Sequence, residues 1–166
     1  APMTGTGQRR RVAVAGASGR MGRALIEAIA ASPDLVLAAA FDVQGSAAVG
    51  SDAAAFLGRP SGVVVTGDAR AALAASEVLI DFTRPEGTLA HVAACARHGT
   101  GAVVGTTGLS DQHKAALEEY ARSIPVVFAP NMSVGVNVLL ALVEAAARQL
   151  GPSYDIEIIE MHHRHK

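Results

Sequence analysis

Three glycines at intervals of three, Gly16, Gly19 and Gly22, follow the apolar run Val12-Ala13-Val14-Ala15 and open a helical pattern. That arrangement suits an anion. Gly16 permits a sharp turn, Gly19 lets backbone N–H groups approach a pyrophosphate, and Gly22 lets the helix lie close on the strand. The helix N-terminus adds partial positive charge where phosphates would sit. Ser18 stands where the commonest dinucleotide fingerprint has its second glycine, so the turn reads Gly16-Ala17-Ser18-Gly19-Arg20-Met21-Gly22. Asp42, 20 residues beyond Gly22, ends the next apolar run, where an acid accepts hydrogen bonds from an adenosine ribose. A tight packing turn beside a surface carboxylate is the bland alternative. The strand before the glycines, the helix after them and the acid at this distance together favour a nucleotide. The cofactor expected is NAD or NADP. A carboxylate at Asp42 repels a 2′-phosphate and Val43 offers no cation, so NAD is favoured, with Arg20 able to reach toward the phosphates.

Three further segments carry small residues and hydroxyls just past apolar strands. They are Asp81-Phe82-Thr83-Arg84-Pro85, Gly105-Thr106-Thr107-Gly108 and Ala129-Pro130-Asn131-Met132-Ser133. Each alone is ordinary turn chemistry. On one sheet edge with Gly16 and Asp42, their amides and carbonyls could grip a carboxamide, with Phe82 or Met132 against a nicotinamide face. The chain ends on His162-His163-Arg164-His165-Lys166. As a metal site this run lacks the usual spacing and acidic or thiol company, so no metal is expected. As an anion-binding and proton-transfer cluster it suits a small dicarboxylate, since histidine titrates near neutrality and lysine is a compact cation. A solvated tail is the competing reading.

Positioning these groups requires a parallel sheet with crossover helices, and the chain alternates accordingly. Strands are expected at 11–15, 35–41, 63–66, 78–82, 102–105 and 125–128. Helices are expected over 21–31, from Pro85 to about His98, from Ser110 onward, and over 134–150, the last ended by Gly151-Pro152. Residues 45–62 read as a loop with a little helix. Residues 154–160 alternate like a strand with one wetter face. The fold class expected is α/β, a doubly wound parallel sheet at 11–150, preceded by a disordered lead at 1–10. Residues 151–166 would begin a second, α+β substrate domain whose remainder lies beyond Lys166.

Composition narrows the field. Of 166 residues, 50% are hydrophobic and 17% charged, which argues against disorder and for a core. The formal charge of −1 argues against a general nucleic-acid surface. The apolar stretches look too short and interrupted to span a membrane. Cys95 is the only cysteine, so no intrachain disulfide forms, and its apolar surroundings mark it as a small core residue. Residues 1–7 lack a secretory pattern, and a cytoplasmic location is expected by default.

Taken in order, the glycine turn, Asp81-Phe82-Thr83-Arg84-Pro85-Glu86-Gly87-Thr88, Gly105-Thr106-Thr107-Gly108, Asn131-Met132-Ser133-Val134-Gly135-Val136-Asn137 and Glu160-Met161-His162-His163-Arg164-His165-Lys166 resemble the dihydrodipicolinate reductase (4-hydroxy-tetrahydrodipicolinate reductase) family from about Arg11 onward. The terminal motif is the most specific of these. The resemblance implies a two-domain, homotetrameric enzyme of lysine (diaminopimelate) biosynthesis, reducing a cyclic dicarboxylate with NADH or NADPH. By position, Gly16, Ala17, Ser18, Gly19, Arg20, Met21, Asp42, Gly105, Thr106, Thr107, Ala129, Pro130, Asn131 and Met132 would bind cofactor. His162 would be the catalytic acid/base, His163 a substrate contact and Lys166 the proton donor. The family continues past Lys166, so these residues alone are expected to bind cofactor with little turnover. Another small-acid dehydrogenase, or a nucleotide-sensing module without catalysis, shares the glycine turn.

Overall fold

The computed structural model describes residues 8–159 and Met161. Contacts divide the chain into two compact units, Ala1–Pro130 and Asn131–Lys166. Helix 134–150, expected within the doubly wound sheet domain at 11–150, groups by contacts with the C-terminal residues.

The first unit holds strands β1 (Arg10–Ala15), β2 (Leu35–Phe41), β3 (Val65–Thr66), β4 (Val78–Asp81), β5 (Gly101–Val104) and β6 (Val126–Phe128). Helices α1 (Arg20–Ala31), α2 (Ala69–Ala74), α3 (Pro85–His98) and α4 (Asp111–Tyr120) alternate with them. The strands form one sheet in the order β3-β2-β1-β4-β5-β6, with every pairing parallel. The order reverses between β1 and β4, the switch point where open α/β sheets bind dinucleotides at the carboxyl ends of their strands.

Why the strands read as continuous apolar runs follows from the two faces of the sheet. Val12 and Val14 pack with Ile26 and Ile29 of α1 and with Ala40 and Val65. Their neighbours Ala13 and Ala15 point the other way, into a cluster with Leu73, Leu79, Val92, Cys95, Val104 and Leu117. Both faces are covered, so both residues of each strand period are apolar. Cys95 is fully buried, and burial pushes its thiol up to about 12. It is an inert core residue.

Element ends follow local chemistry. Pro85 occupies the first turn of α3 and Gly99 ends it in the left-handed region at φ 69°. The Ser110 hydroxyl accepts from His113 N–H in a capping box that opens α4. Two features depart from expectation here. The strand predicted at 63–66 keeps only Val65–Thr66, because Val64 instead bridges antiparallel to Asp52. That carboxylate accepts from the N–H groups of Ala54, Ser61 and Gly62, and so organises a loop that has no periodicity in sequence. Helix α2 was not legible: it has six residues, too few for a 3.6-residue pattern, and forms on the Asp68 cap, which accepts from Arg70 and Ala71 N–H.

In the second unit, helix α5 (Val134–Leu150) starts on the Ser133 hydroxyl, which accepts from Val136 N–H. Its side chains are largely exposed, Val134 at 79% among them. By length and composition Val134–Ser153, mean hydropathy 1.3, is sufficient to cross a membrane, which the sequence reading did not credit. Asn137 and the Glu144–Arg148 ion pair interrupt that stretch, and charges at mid-span are costly in a bilayer. The strand predicted over 154–160 does not form among the described residues: 155–159 have no regular structure, and Ile158 and Ile159 stand exposed. Alternation specifies a face, but a strand exists only with a hydrogen-bonded neighbour.

Candidate functional site

The glycine turn is built as its spacing predicts. Gly16 has φ 63°, and its carbonyl accepts from Gly19 N–H at 3.0 Å. A Cβ on Gly22 would lie 2.1 Å from the Gly16 carbonyl oxygen and 2.8 Å from Ala17 Cα. Only hydrogen fits there, so α1 begins directly against the turn. Arg20 is the first residue of α1, and Arg20 and Met21 are exposed at its start.

Asp42 follows β2 and meets the turn. Ser18 N–H donates to Asp42 Oδ2 at 2.9 Å, Val43 N–H donates to Oδ1 at 2.8 Å, and Ala17 N–H donates to the Phe41 carbonyl at 3.1 Å. Burial pushes the Asp42 carboxyl up, but hydrogen bonds from the Ser18 hydroxyl and N–H and from Val43 N–H outweigh it, holding the group below the usual carboxylate value. An ionised carboxylate can accept about four hydrogen bonds, so capacity is left for a ligand hydroxyl. Beside the turn lies a cavity of about 430 Å³ bounded by Ala17, Ser18, Arg23, Ser46 and Phe56. The Arg23 guanidinium sits 5.4 Å from the centre of the Phe56 ring. Nothing in the sequence pattern marks Arg23 or Phe56.

The ends of β4 and β5 are joined by a buried carboxylate that sequence reasoning did not single out. Asp81 is fully buried. Its Oδ1 accepts from Thr83 N–H at 2.9 Å, from the Thr83 hydroxyl at 2.6 Å and from the Thr88 hydroxyl at 3.3 Å. Thr106 Oγ1 lies 3.5 Å from the same oxygen and 2.7 Å from Thr88 Oγ1. His91 Nδ1 lies 2.8 Å from Oδ2, and the imidazole packs edge-on against Phe41 with centroids 4.9 Å apart. Burial pushes Asp81 up, yet the hydrogen bonds from His91 and Thr83 and the charge at His91 win, and its carboxyl lies below the ordinary range. The only cue in sequence is the threonine density at 83, 88 and 106 around one aspartate.

Around this network the candidate residues of the first unit assemble. A Cβ on Gly105 would fall 2.0 Å from the Phe82 ring, so the ring lies directly against the glycine. A Cβ on Gly16 would fall 3.0 Å from Thr83 Cγ2, which places the glycine turn beside the end of β4. Thr106 is buried and Thr107 exposed. Ala129 N–H donates to the Val104 carbonyl at 3.1 Å, putting the segment Ala129-Pro130 after β6 on the same edge. Asn131 and Met132 fall in the second unit. There the Asn131 amide oxygen accepts from Ser133 N–H at 3.1 Å and from Asn137 Nδ2 at 3.3 Å, fixing the start of α5. His162, His163 and Lys166 lie outside the described residues.

The first unit therefore gathers a glycine-lined turn at the start of α1, a carboxylate closed on that turn, and two glycine- and threonine-bearing strand ends on one edge. The turn at Gly16, Gly19 and Gly22 fits a diphosphate in its chemistry, since it carries no side chain at these positions and α1 begins directly against it. Its chemistry is that of a dinucleotide site.

Known proteins agree with this reading of the fold. The sequence profile described as "Dihydrodipicolinate reductase, N-terminus" matches residues 10–132, and that described as "Dihydrodipicolinate reductase, C-terminus" matches 135–166. Proteins called 4-hydroxy-tetrahydrodipicolinate reductase from Burkholderia mallei (strain ATCC 23344) and Janthinobacterium sp. (strain Marseille) are each 56% identical over 156 residues, covering 94% of this chain. The chain spans 58% of the length of these relatives. Among solved structures, dipicolinate-bound dihydrodipicolinate reductase from Paenisporosarcina sp. TG-14 is similar with a TM-score of 0.68 at 22% identity, over 84% of this chain and 54% of that one. GenD2 from gentamicin A biosynthesis, in complex with NAD, has a TM-score of 0.59 at 24% identity, over 90% of this chain and 42% of that one. These two likenesses speak to the sheet and its helices. With residues 10–132 and 135–166 matched in order, the chain belongs to the dihydrodipicolinate reductase family.

Proposed function

We propose that this chain carries the nicotinamide-cofactor site of a reductase acting on 4-hydroxy-tetrahydrodipicolinate in lysine (diaminopimelate) biosynthesis. The observation that carries the reading is the glycine turn closed on Asp42, with Ser18 N–H 2.9 Å from the carboxylate, in a chain 56% identical to proteins of that name. The segment Gly16 to Met21 would hold the pyrophosphate at the start of α1, and Asp42 the adenosine ribose. Phe82, Thr83, Gly105, Thr106 and Thr107, with Ala129, Pro130, Asn131 and Met132, would hold the nicotinamide end. The chemistry such a cofactor supplies when bound is hydride donation to an electrophilic ring carbon of the substrate. His162 would act as acid/base, His163 would bind a substrate carboxylate and Lys166 would deliver the proton that balances the hydride. The working enzyme is read as a homotetramer in the cytoplasm.

NADH is the preferred cofactor in this reading, because Asp42 repels a 2′-phosphate and Val43 leaves the position after it without a cation. Calorimetry of the 166-residue chain tests both parts. NADH binding with NADPH about tenfold weaker is the expected result, and no heat with either would overturn the site. In a chain extended over the length of its relatives, Lys166→Ala should lower kcat about a hundredfold while NADH affinity stays put. Unchanged kcat would remove Lys166 from its role.

A further inference from the structure

We propose that Asp81 is a positioning residue for the nicotinamide half of the cofactor, acting through Thr83 and Thr106 and never touching the ligand. The inference rests on reading this sheet edge as a nicotinamide-cofactor site.

In a sheet with this strand order, the half built on β1–β3 takes the adenosine end and the half built on β4–β6 takes the nicotinamide end. Asp81 sits wholly within the second half. It is fully buried, so no cofactor reaches it. Its donors come from three places at once: Thr83 beyond the end of β4, Thr88 and His91 on α3, and Thr106 beyond the end of β5. The Asp81 carbonyl also accepts from Gly105 N–H at 2.9 Å. One residue thus pins both loops of the nicotinamide half to one helix.

The cluster is far more elaborate than packing requires. Replacing it by apolar side chains of similar shape would cost little stability, since buried ion pairs and polar networks seldom outperform well-packed hydrophobic groups. What such groups cannot do is fix the direction of a loop. Phe82 and Gly105, whose surfaces meet, are each the direct neighbour of a residue that Asp81 holds. Releasing Asp81 frees Thr83 on one side and Thr106 on the other, and the ring-on-glycine contact between them loses its register. The glycine turn, held by its own bonds to Asp42 and Phe41, stays where it is.

The separation gives the test its form. Asp81→Asn keeps the shape of the side chain but cannot accept from every donor now around it. Calorimetry is run with NADH and with ADP-ribose, which lacks the nicotinamide. Asp81→Asn should weaken NADH about tenfold, matching the loss of a charge-assisted hydrogen bond, and leave ADP-ribose within about twofold. A merely structural role would weaken both by the same factor, and that result, or no change in either, overturns the proposal. Should Asp81→Asn fail to fold by circular dichroism, Thr88→Val and Thr88→Ser decide. Thr88 is fully buried on α3, and its hydroxyl links Asp81 to Thr106. Thr88→Val should weaken NADH about threefold with ADP-ribose unaffected, and Thr88→Ser should restore it. Equal behaviour of the two variants sinks the idea. If the unsubstituted chain binds neither ligand, the cofactor site itself is wrong, which is distinguishable from a chain that binds both and is indifferent to residue 81.

Discussion

Two aspartates stand just past or at the ends of neighbouring halves of the sheet, and the fold uses them oppositely. Asp42 is partly exposed and accepts from its neighbour Val43 and from Ser18 of the glycine turn. Asp81 is fully buried and gathers hydroxyls, an amide and an imidazole from three segments. The first has acceptor capacity to offer a ligand; the second has spent its capacity on the protein. Residue type is the same, and strand position differs by one residue. Burial and the number of converging donors decide which acid binds and which one holds the frame.

The comparison breaks most severely at the buried acid. Asp81→Ala removes the acceptor that Thr83, Thr88 and His91 share and leaves a hole in a packed core. A loss of about 3 kcal/mol is expected from urea unfolding, in the range for stripping one partner from a buried charged network. A loss under about 1 kcal/mol would mean the donors find water or each other without strain. Next comes Gly22→Ala. A methyl group there meets the backbone of Gly16 and Ala17, at 2.1 and 2.8 Å, so α1 must move off the turn at a cost of about 1–3 kcal/mol. Gly105→Ala has the opposite balance, because its added carbon strikes the movable Phe82 ring. Stability should fall less than for Gly22→Ala while NADH affinity falls further, and paired melts and titrations would show it.

How much of this was legible beforehand follows the same physics. The glycine turn and Asp42 were readable because their roles depend on local spacing, and strand 35–41 and helix 134–150 were readable because their apolar runs are long. Asp81 and His91 were not. Their meaning comes from residues 2, 7, 10 and 25 positions away, brought together only by the crossover from β4 to β5. Helix α2 escaped because it is shorter than two turns of pattern, and 154–160 misled because alternation says nothing about whether a pairing strand exists. Local rules give the binding turn; long-range contacts give the frame behind it.

Acid provides a milder probe of the same contrast. The Asp81 carboxyl lies below its ordinary value in the folded chain. A depressed folded value contributes stability above the unfolded carboxyl's pKa of about 4 and loses it as pH falls through the folded value. Urea midpoints measured from pH 6 downward should therefore drop steeply below about pH 4, and Asp81→Asn should flatten that drop. An unaltered slope would assign the acid sensitivity to other carboxylates.

The smallest effect on the fold should come from Asp42→Asn. Asparagine keeps an acceptor for Val43 or Ser18, and the site is partly hydrated, so the change in stability should stay within about 0.5 kcal/mol. Binding should respond out of proportion. The amide accepts less strongly from ribose hydroxyls, and NADH affinity should fall about tenfold. NADPH should lose less, because the same substitution removes the negative charge that opposes its 2′-phosphate. The ratio of the two affinities therefore moves toward NADPH with hardly any change in melting temperature. At Asp81 the order is reversed, with stability lost and the adenosine half unaffected, because there the acid faces the protein rather than the ligand. Equal losses for both cofactors at Asp42 would show that it, too, holds the frame.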